Sequence, residues 1–444
     1  MVFPKLSVFI FFVSLVTISL GHPQSRSSFN KRFDAKFNHV LLISIDGLHQ
    51  KDVDVFTKDN PGCTLATILK NAVYFTNVQD SFPTDSFPGL MAQVTGGKPA
   101  TTGVCMMILG IVLFIPPDPI VLARLSLDTD VTKLNTTLNE TAFPEQLKDG
   151  KCVKVHPYDY LRVNTIFEVA KQHGLTTAWV DKEPAYTIVN GPSGKGVDDF
   201  WGPEISSINS TDVTQVKQYD GNHTQAILNW INGIRTDGTP FKVPNIFGGN
   251  FQTVSVAQKS PAGGYKNANA NPTDVLEGAF KYHGQSPIDP KLLQRIDPDF
   301  LSNQVGSDKI NHLTTDDVAL LWLKDHSDSK AAAESLMNNK TLAITEVFEG
   351  DSLQSEFGRD PDIAIKVNPG VIYSLSTAKI AEHGGFNEDY HVPIIVYNPC
   401  IDGKVNTDNV ETRSIAPFIL SVLGLDGNEL EAVAKEETPT LPVF

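Results

Sequence analysis

Cysteine is scarce: four residues in 444, at positions 63, 105, 152 and 400, with no Cys-x-x-Cys pair and no Cys/His spacing. That pattern excludes a thiolate metal centre, and leaves Cys63, Cys105, Cys152 and Cys400 room for two disulfides, in any of three connectivities, if the chain is exported. Basic residues are also short, 36 against 51 acidic ones, for a net charge of −15. Such a chain is a poor grip for a nucleic-acid backbone or an anionic membrane, so neither is expected as a partner. No apolar run reaches the roughly 20 residues that a membrane span requires. The Gly-rich Asn190–Ile205 segment carries one lysine but lacks the spacing of a Walker phosphate loop, and reads as a structural loop.

What is present begins with an address. A single Lys5 precedes the apolar run Leu6–Leu20, and small and polar residues follow. This is the layout of a signal peptide over residues 1–21, so a secreted or lumenal protein with no stable span is expected. Asn-x-Ser/Thr triplets at Asn135, Asn139, Asn209, Asn222 and Asn339 fit that route as glycosylation sites. The remaining chain, 41% hydrophobic and 20% charged, has the composition of a globular protein.

Periodicity points to an α/β fold. The apolar run His39–Leu48 ends in Asp46-Gly47, which reads as a buried parallel strand with a carboxylate at its carboxyl end, where open α/β sheets bind ligands. A helix and strand follow over Thr64–Asp80, then a helix from about Asn164 stopped by Gly174, and a strand ending at Asp181. The stretches around Ile246–Val256 and His391–Pro399 read as further buried strands, and Thr412–Leu425 as a late helix. The alternation predicts a mostly parallel central sheet with helices on both faces, inserted cap segments, and a domain over residues 37–425. The acidic residues 426–444 read as a solvated tail. Two stretches break the pattern. Cys105–Leu125 is too short and proline-rich to span a membrane and has no helical period, and Lys266–Tyr282 holds only 17 residues where a helix and strand need about 25. The sheet is therefore predicted to be incomplete before His283.

The chemistry-bearing residues fall in order at predicted strand ends. Ser86, in Ser-Phe-Pro-Thr-Asp-Ser-Phe-Pro-Gly, opens a predicted helix, so it is either a capping serine or a nucleophile backed by a helix N-terminus. Asp46, Asp181, and the loop histidines His283 and His383 accompany it. Asp, His and an activated hydroxyl on one sheet edge suit a hydrolytic metal site acting on a small phosphorylated substrate.

The segments LLISIDGL, SFPTDSFPGLMAQVTGGKPATTGV, KYHGQSPIDP and AEHGGFNEDYHVPIIVYNP together resemble the type I phosphodiesterase/nucleotide pyrophosphatase family of the alkaline phosphatase superfamily. The resemblance implies an alkaline-phosphatase-like fold, a site with two zinc ions, and cleavage of phosphodiester or pyrophosphate bonds through a covalent phospho-enzyme. It implies Ser86 as nucleophile, and Asp46, Ser86, His283 and His383 as metal ligands. The sequence departs from the pattern in places. Tyr282 stands where the family's Asp-His-Gly has its Asp, and the strand near Asn250 offers Asn250, Gln252 and Gln258, with no Asp or His from Phe251 to Asn271. Amides replace carboxylate and imidazole poorly at zinc. Two readings stay open: a secreted metal-dependent phosphohydrolase, or a catalytically impaired relative, or incomplete gene product, that retains the fold. A sulfatase is disfavoured, because no Cys/Ser-x-Pro-x-Arg sequence surrounds Ser86.

Overall fold

The structure is a computed structural model that describes residues 37–104, 151–209, 212–259, 294–349, 361–368, 370–375, 390–399 and 401–444, with the backbone alone of Ser14–Ile18 and 145–148. The anomalous stretches at 105–125 and 266–282 lie outside these residues, as do Cys105, Cys400, Asn135 and Asn139. Tyr282, His283 and His383 lie outside them too.

The central sheet runs in the order Lys404–Asn406, Ala72–Gln79, His391–Tyr397, Ser14–Ile18, Val40–Ile45, Ile246–Phe251, Thr177–Val180 and Asp199–Trp201. On one side of Val40–Ile45 the strands are parallel, with Val40 opposite Ile246 and Thr177 opposite the same Ile246 from the other edge. All six residues of Val40–Ile45 and all six of Ile246–Phe251 are buried. That burial is why both read as continuous rather than alternating patterns. Gly248 is required by packing: a Cβ there would run into the carbonyl oxygen of Leu42 on the neighbouring strand. Antiparallel pairing enters where His391–Tyr397 meets Ala72–Gln79. The predicted mostly parallel α/β sheet is thus borne out.

Within the apolar run Leu6–Leu20, Ser14–Ile18 pairs antiparallel with Val40–Ile45 and parallel with His391–Tyr397, inside the sheet. A short apolar run with β-branched residues suits a two-sided buried slot as well as it suits a leader. Residues 426–444 are not a solvated tail, since Leu430, Ala432, Val433, Leu441 and Val443 are buried in the main core. Gly96, which ends helix Ser86–Thr95 at φ +76°, has no room for a Cβ because the Val433 side chain is there. Asp426, Glu431 and Glu437 are exposed, Glu436 pairs with Arg413, and the aliphatic residues pack, a mixture that charge counting hides. Cys63 and Cys152 are free thiols, so two disulfides do not form. Cys63 instead caps Thr64–Leu69, its sulfur accepting from the Ala66 N–H.

A second, antiparallel sheet of Ile310–Thr315, Val318–Leu323, Ile363–Val367 and Ile344–Glu349 follows the parallel half in sequence. One face packs on helices Asp299–Val305 and Ser329–Asn338 through Leu301, Leu321, Leu336 and Ile365. On the other face Leu320, Trp322 and Ala364 receive Phe82, from the loop leading to Ser86. This insertion therefore buttresses the loop that leads to Ser86.

Candidate active site

The site forms at the carboxyl ends of three neighbouring strands. Asp46 follows Val40–Ile45, Lys182 follows Thr177–Val180, and Asn250 and Gln252 lie at the end of Ile246–Phe251. Opposite them, helix Ser86–Thr95 begins at Ser86, with nine of its ten residues buried. Its first turn points at the strand ends, and its unsatisfied N–H groups and dipole favour an anion there.

Ser86 Oγ donates to Asp46, at 3.1 Å from Oδ2 and 3.3 Å from Oδ1. Lys182 Nζ donates to Asp46 Oδ2 at 2.6 Å, to Ser86 Oγ at 2.9 Å and to Gln252 Oε1 at 3.4 Å. Gln252 Nε2 gives a further bond to Asp46 Oδ2 at 2.7 Å and another to Asn250 Oδ1. The Lys182 side chain is 8% exposed and that of Asp46 11%. Burial alone would push the Lys182 ammonium down, but the charges of Asp46 and Glu183 outweigh it and its pKa lies above the ordinary lysine value. Lys182 is therefore charged, with each of its three N–H groups directed to an acceptor.

Helix Val213–Ile231 holds these strand ends in place with three residues of one face. Tyr219 donates to the carbonyl of Lys182 at 2.8 Å. The Asp220 carboxylate accepts from the backbone N–H of Gln252 and Thr253 and from the Thr253 hydroxyl. The His223 Nδ1–H reaches the carbonyl of Asn250 at 2.7 Å. Burial raises Asp220 to about 6 and lowers His223 to about 4.

The structure unites only part of the expected set. Asp46 and Ser86 meet. Asp181 does not join them: its carboxylate turns inward to the Trp179 Nε1–H at 2.7 Å and the Lys182 N–H at 2.8 Å, and burial raises it to about 7. His283 and His383 lie outside the described residues. Among the described residues no group of three or more His, Cys, Asp or Glu could hold a metal ion. The residues at Asp46 do not fit a zinc ion, because Lys182, Gln252 and Ser86 all converge on its carboxylate. Lys182 was missed because the reading stopped at the acidic strand-end residue; its signal was its place one residue beyond. The polar triplet Tyr219, Asp220 and His223 on a core-facing helix was missed for lack of any partner visible in sequence.

Beside the serine the cleft is lined by Gly47, His49, Asp80, Thr84 and Asp85. Asp80 is raised to about 6 by burial and accepts from the Thr412 hydroxyl at 2.6 Å. Phe82 stacks near Phe348 and meets Tyr390 edge-on, 5.3 Å and 6.0 Å between centroids.

The site is thus an α/β sheet with a serine at a helix start, facing a strand-end carboxylate. Residues 40–109 match the model of the type I phosphodiesterase / nucleotide pyrophosphatase family. Murine ectonucleotide pyrophosphatase / phosphodiesterase 5 has a similar fold, with TM-score 0.57 at 12% identity, over 87% of this chain and 95% of that one. The human protein of the same name gives 0.54 at 13%, over 86% and 94%. Phosphonoacetate hydrolase from Sinorhizobium meliloti 1021, in complex with phosphonoacetate, gives 0.53 at 13%, over 86% and 94%. An inactive T72A form of the murine protein is in complex with AMP. No curated protein matches the chain in sequence.

Proposed function

We propose that the chain is a hydrolase of phosphodiester or pyrophosphate bonds in a small phosphorylated substrate, acting through a phospho-serine at Ser86. The observation that carries this reading is the Ser86 hydroxyl at the start of helix Ser86–Thr95, bonded to Asp46 at 3.1 Å. Ser86 Oγ attacks phosphorus in line as its proton passes to Asp46, forming the Oγ–P bond and breaking the bond to the leaving oxygen, which takes a proton from water. The hydroxide left by that water then attacks the phospho-serine, the Oγ–P bond breaks, and Asp46 returns its proton to Ser86 Oγ. The helix N-terminus favours the anionic phosphoryl group. The AMP and phosphonoacetate complexes of the similar structures favour a small phosphate or phosphonate ligand. The family resemblance implies two divalent metal ions, one with His383 among its ligands and one with Asp46, Ser86 and His283, and the contacts of Lys182 at Asp46 do not fit the second. The Leu6–Leu20 run and the five glycosylation triplets favour the extracellular or lumenal route. Among the described residues no helix is long and apolar enough to cross a membrane.

The test is turnover of a chromogenic phosphodiester by wild type and Ser86→Ala, with mass-spectrometric capture of phospho-serine on quenching. Wild type should turn over and carry phosphate on Ser86, and the variant should do neither. Undiminished turnover in Ser86→Ala removes the serine from the reaction.

A further inference from the structure

We infer that the Lys182 ammonium supplies, at the nucleophile, the positive charge for which a bound metal ion would otherwise serve. Three observations carry this. Lys182 Nζ lies 2.6 Å from Asp46 Oδ2 and 2.9 Å from Ser86 Oγ, so it already touches both groups that a metal at this position would bridge. A zinc ion bound by Asp46 would sit about 2.0–2.2 Å from the same oxygen, against an ammonium it would repel. The neighbouring polar side chains are matched to an ammonium: Gln252 offers Oε1 to Lys182 and Nε2 to Asp46, while Asn250 accepts from Gln252. Neutral amides complete such a network, whereas a divalent ion calls for carboxylate or imidazole.

Lys182 is also held in place from behind. Its backbone carbonyl accepts from Tyr219 Oη at 2.8 Å, its N–H bonds to Asp181, and its ammonium lies 5.5 Å from the centre of the Tyr186 ring. A fixed, buried cation beside an oxygen that becomes anionic needs no reorganisation as charge develops, which is what transition-state stabilisation requires. Lys182 stays an ammonium throughout and transfers no proton. Its hydrogen bond to Ser86 strengthens as the serine oxygen gains charge, while the bond-making and bond-breaking stay as described for Ser86. The catalytic half of this inference rests on the phosphodiesterase reading; the seat of the cation does not.

Two measurements test it. Crystals of wild type soaked in zinc chloride should show no anomalous peak within coordination distance of Asp46, with Lys182 still bonded to Ser86. A peak on Asp46 with Lys182 swung aside overturns the inference, and this arm needs neither a folded variant nor an active enzyme. In steady-state assays Lys182→Ala should lower kcat about 10²–10³-fold with KM little changed, and Lys182→Arg should recover part of the loss. An Ala variant with wild-type kcat, or one whose defect lies wholly in KM, overturns the catalytic role. Failure of the phosphodiesterase reading shows differently, as a wild type without turnover whose crystals still seat the ammonium on Asp46.

Discussion

Acidification should weaken the protein through one histidine, and the size of the effect follows from its burial. His223 is fully buried on helix Val213–Ile231, ringed by Trp201, Tyr219 and Phe251. Its Nδ1–H donates to the Asn250 carbonyl, and its Nε2 has no hydrogen-bond partner. Burial in this aromatic box lowers its pKa from 6.5 to about 4. A group depressed in the folded state contributes stability that is complete above the unfolded pKa and is lost as pH falls through the folded one. The window therefore runs from about 6.5 down to about 4, with a total loss of roughly 3 kcal/mol and about 2 kcal/mol of it gone by pH 5. Buried Asp80, Asp181 and Asp220, raised to about 6, 7 and 6, act with the opposite sign: their contribution is present near pH 4 and lost as pH rises. Only a difference isolates the histidine. Urea unfolding of wild type and His223→Gln, which keeps a donor for Asn250, should be compared at pH 7.5, 6, 5 and 4.5. Wild type should lose about 2 kcal/mol more than the variant between pH 7.5 and 5. Equal losses in the two proteins would refute the assignment of a neutral, buried His223.

Other outcomes follow from packing. Gly248→Ala drives a methyl into the Leu42 carbonyl between two central strands, so little soluble protein should be recovered, and wild-type yield and melting temperature would contradict the close approach. Leu430→Ala removes a fully buried side chain from the segment against helix Ser86–Thr95 and should cost about 2–5 kcal/mol in denaturant unfolding; no measurable change would return that segment to solvent.

The fold was legible in sequence wherever burial on two sides forced a continuous apolar run. Val40–Ile45, Ile246–Phe251 and His391–Tyr397 all fall where those runs predicted. What defeated the reading was segments whose role depends on a distant partner. Residues 430–443 look polar by composition, yet their aliphatic minority meets the far end of helix Ser86–Thr95. Ser14–Ile18 has the same apolarity whether it is removed as a leader or enters a sheet. The pair Ser86 and Asp46 was visible because each is a chemical group at a predicted element end. Lys182 was not, because a lysine after a strand is ordinarily solvated, and only the convergence of Asp46, Ser86 and Gln252 gives it three acceptors.

That convergence also explains why amides at Asn250 and Gln252 need not signal decay. A site that loses a carboxylate while keeping a divalent ion would lose charge balance, but here Asp46 is balanced by Lys182 and the amides carry no charge. The same strand end is anchored from helix Val213–Ile231 by Asp220 and His223, and the Lys182 backbone by Tyr219. Here one helix face places the lysine and both amides together, and the arrangement is costly to keep, with a buried carboxylate raised to about 6 at Asp220. Burying such a group without use is unfavourable. Under the proposed reading a positioned ammonium beside Ser86 gives that burial a purpose, and wild-type turnover that falls in Lys182→Ala would separate a lysine-based active site from an inactive remnant.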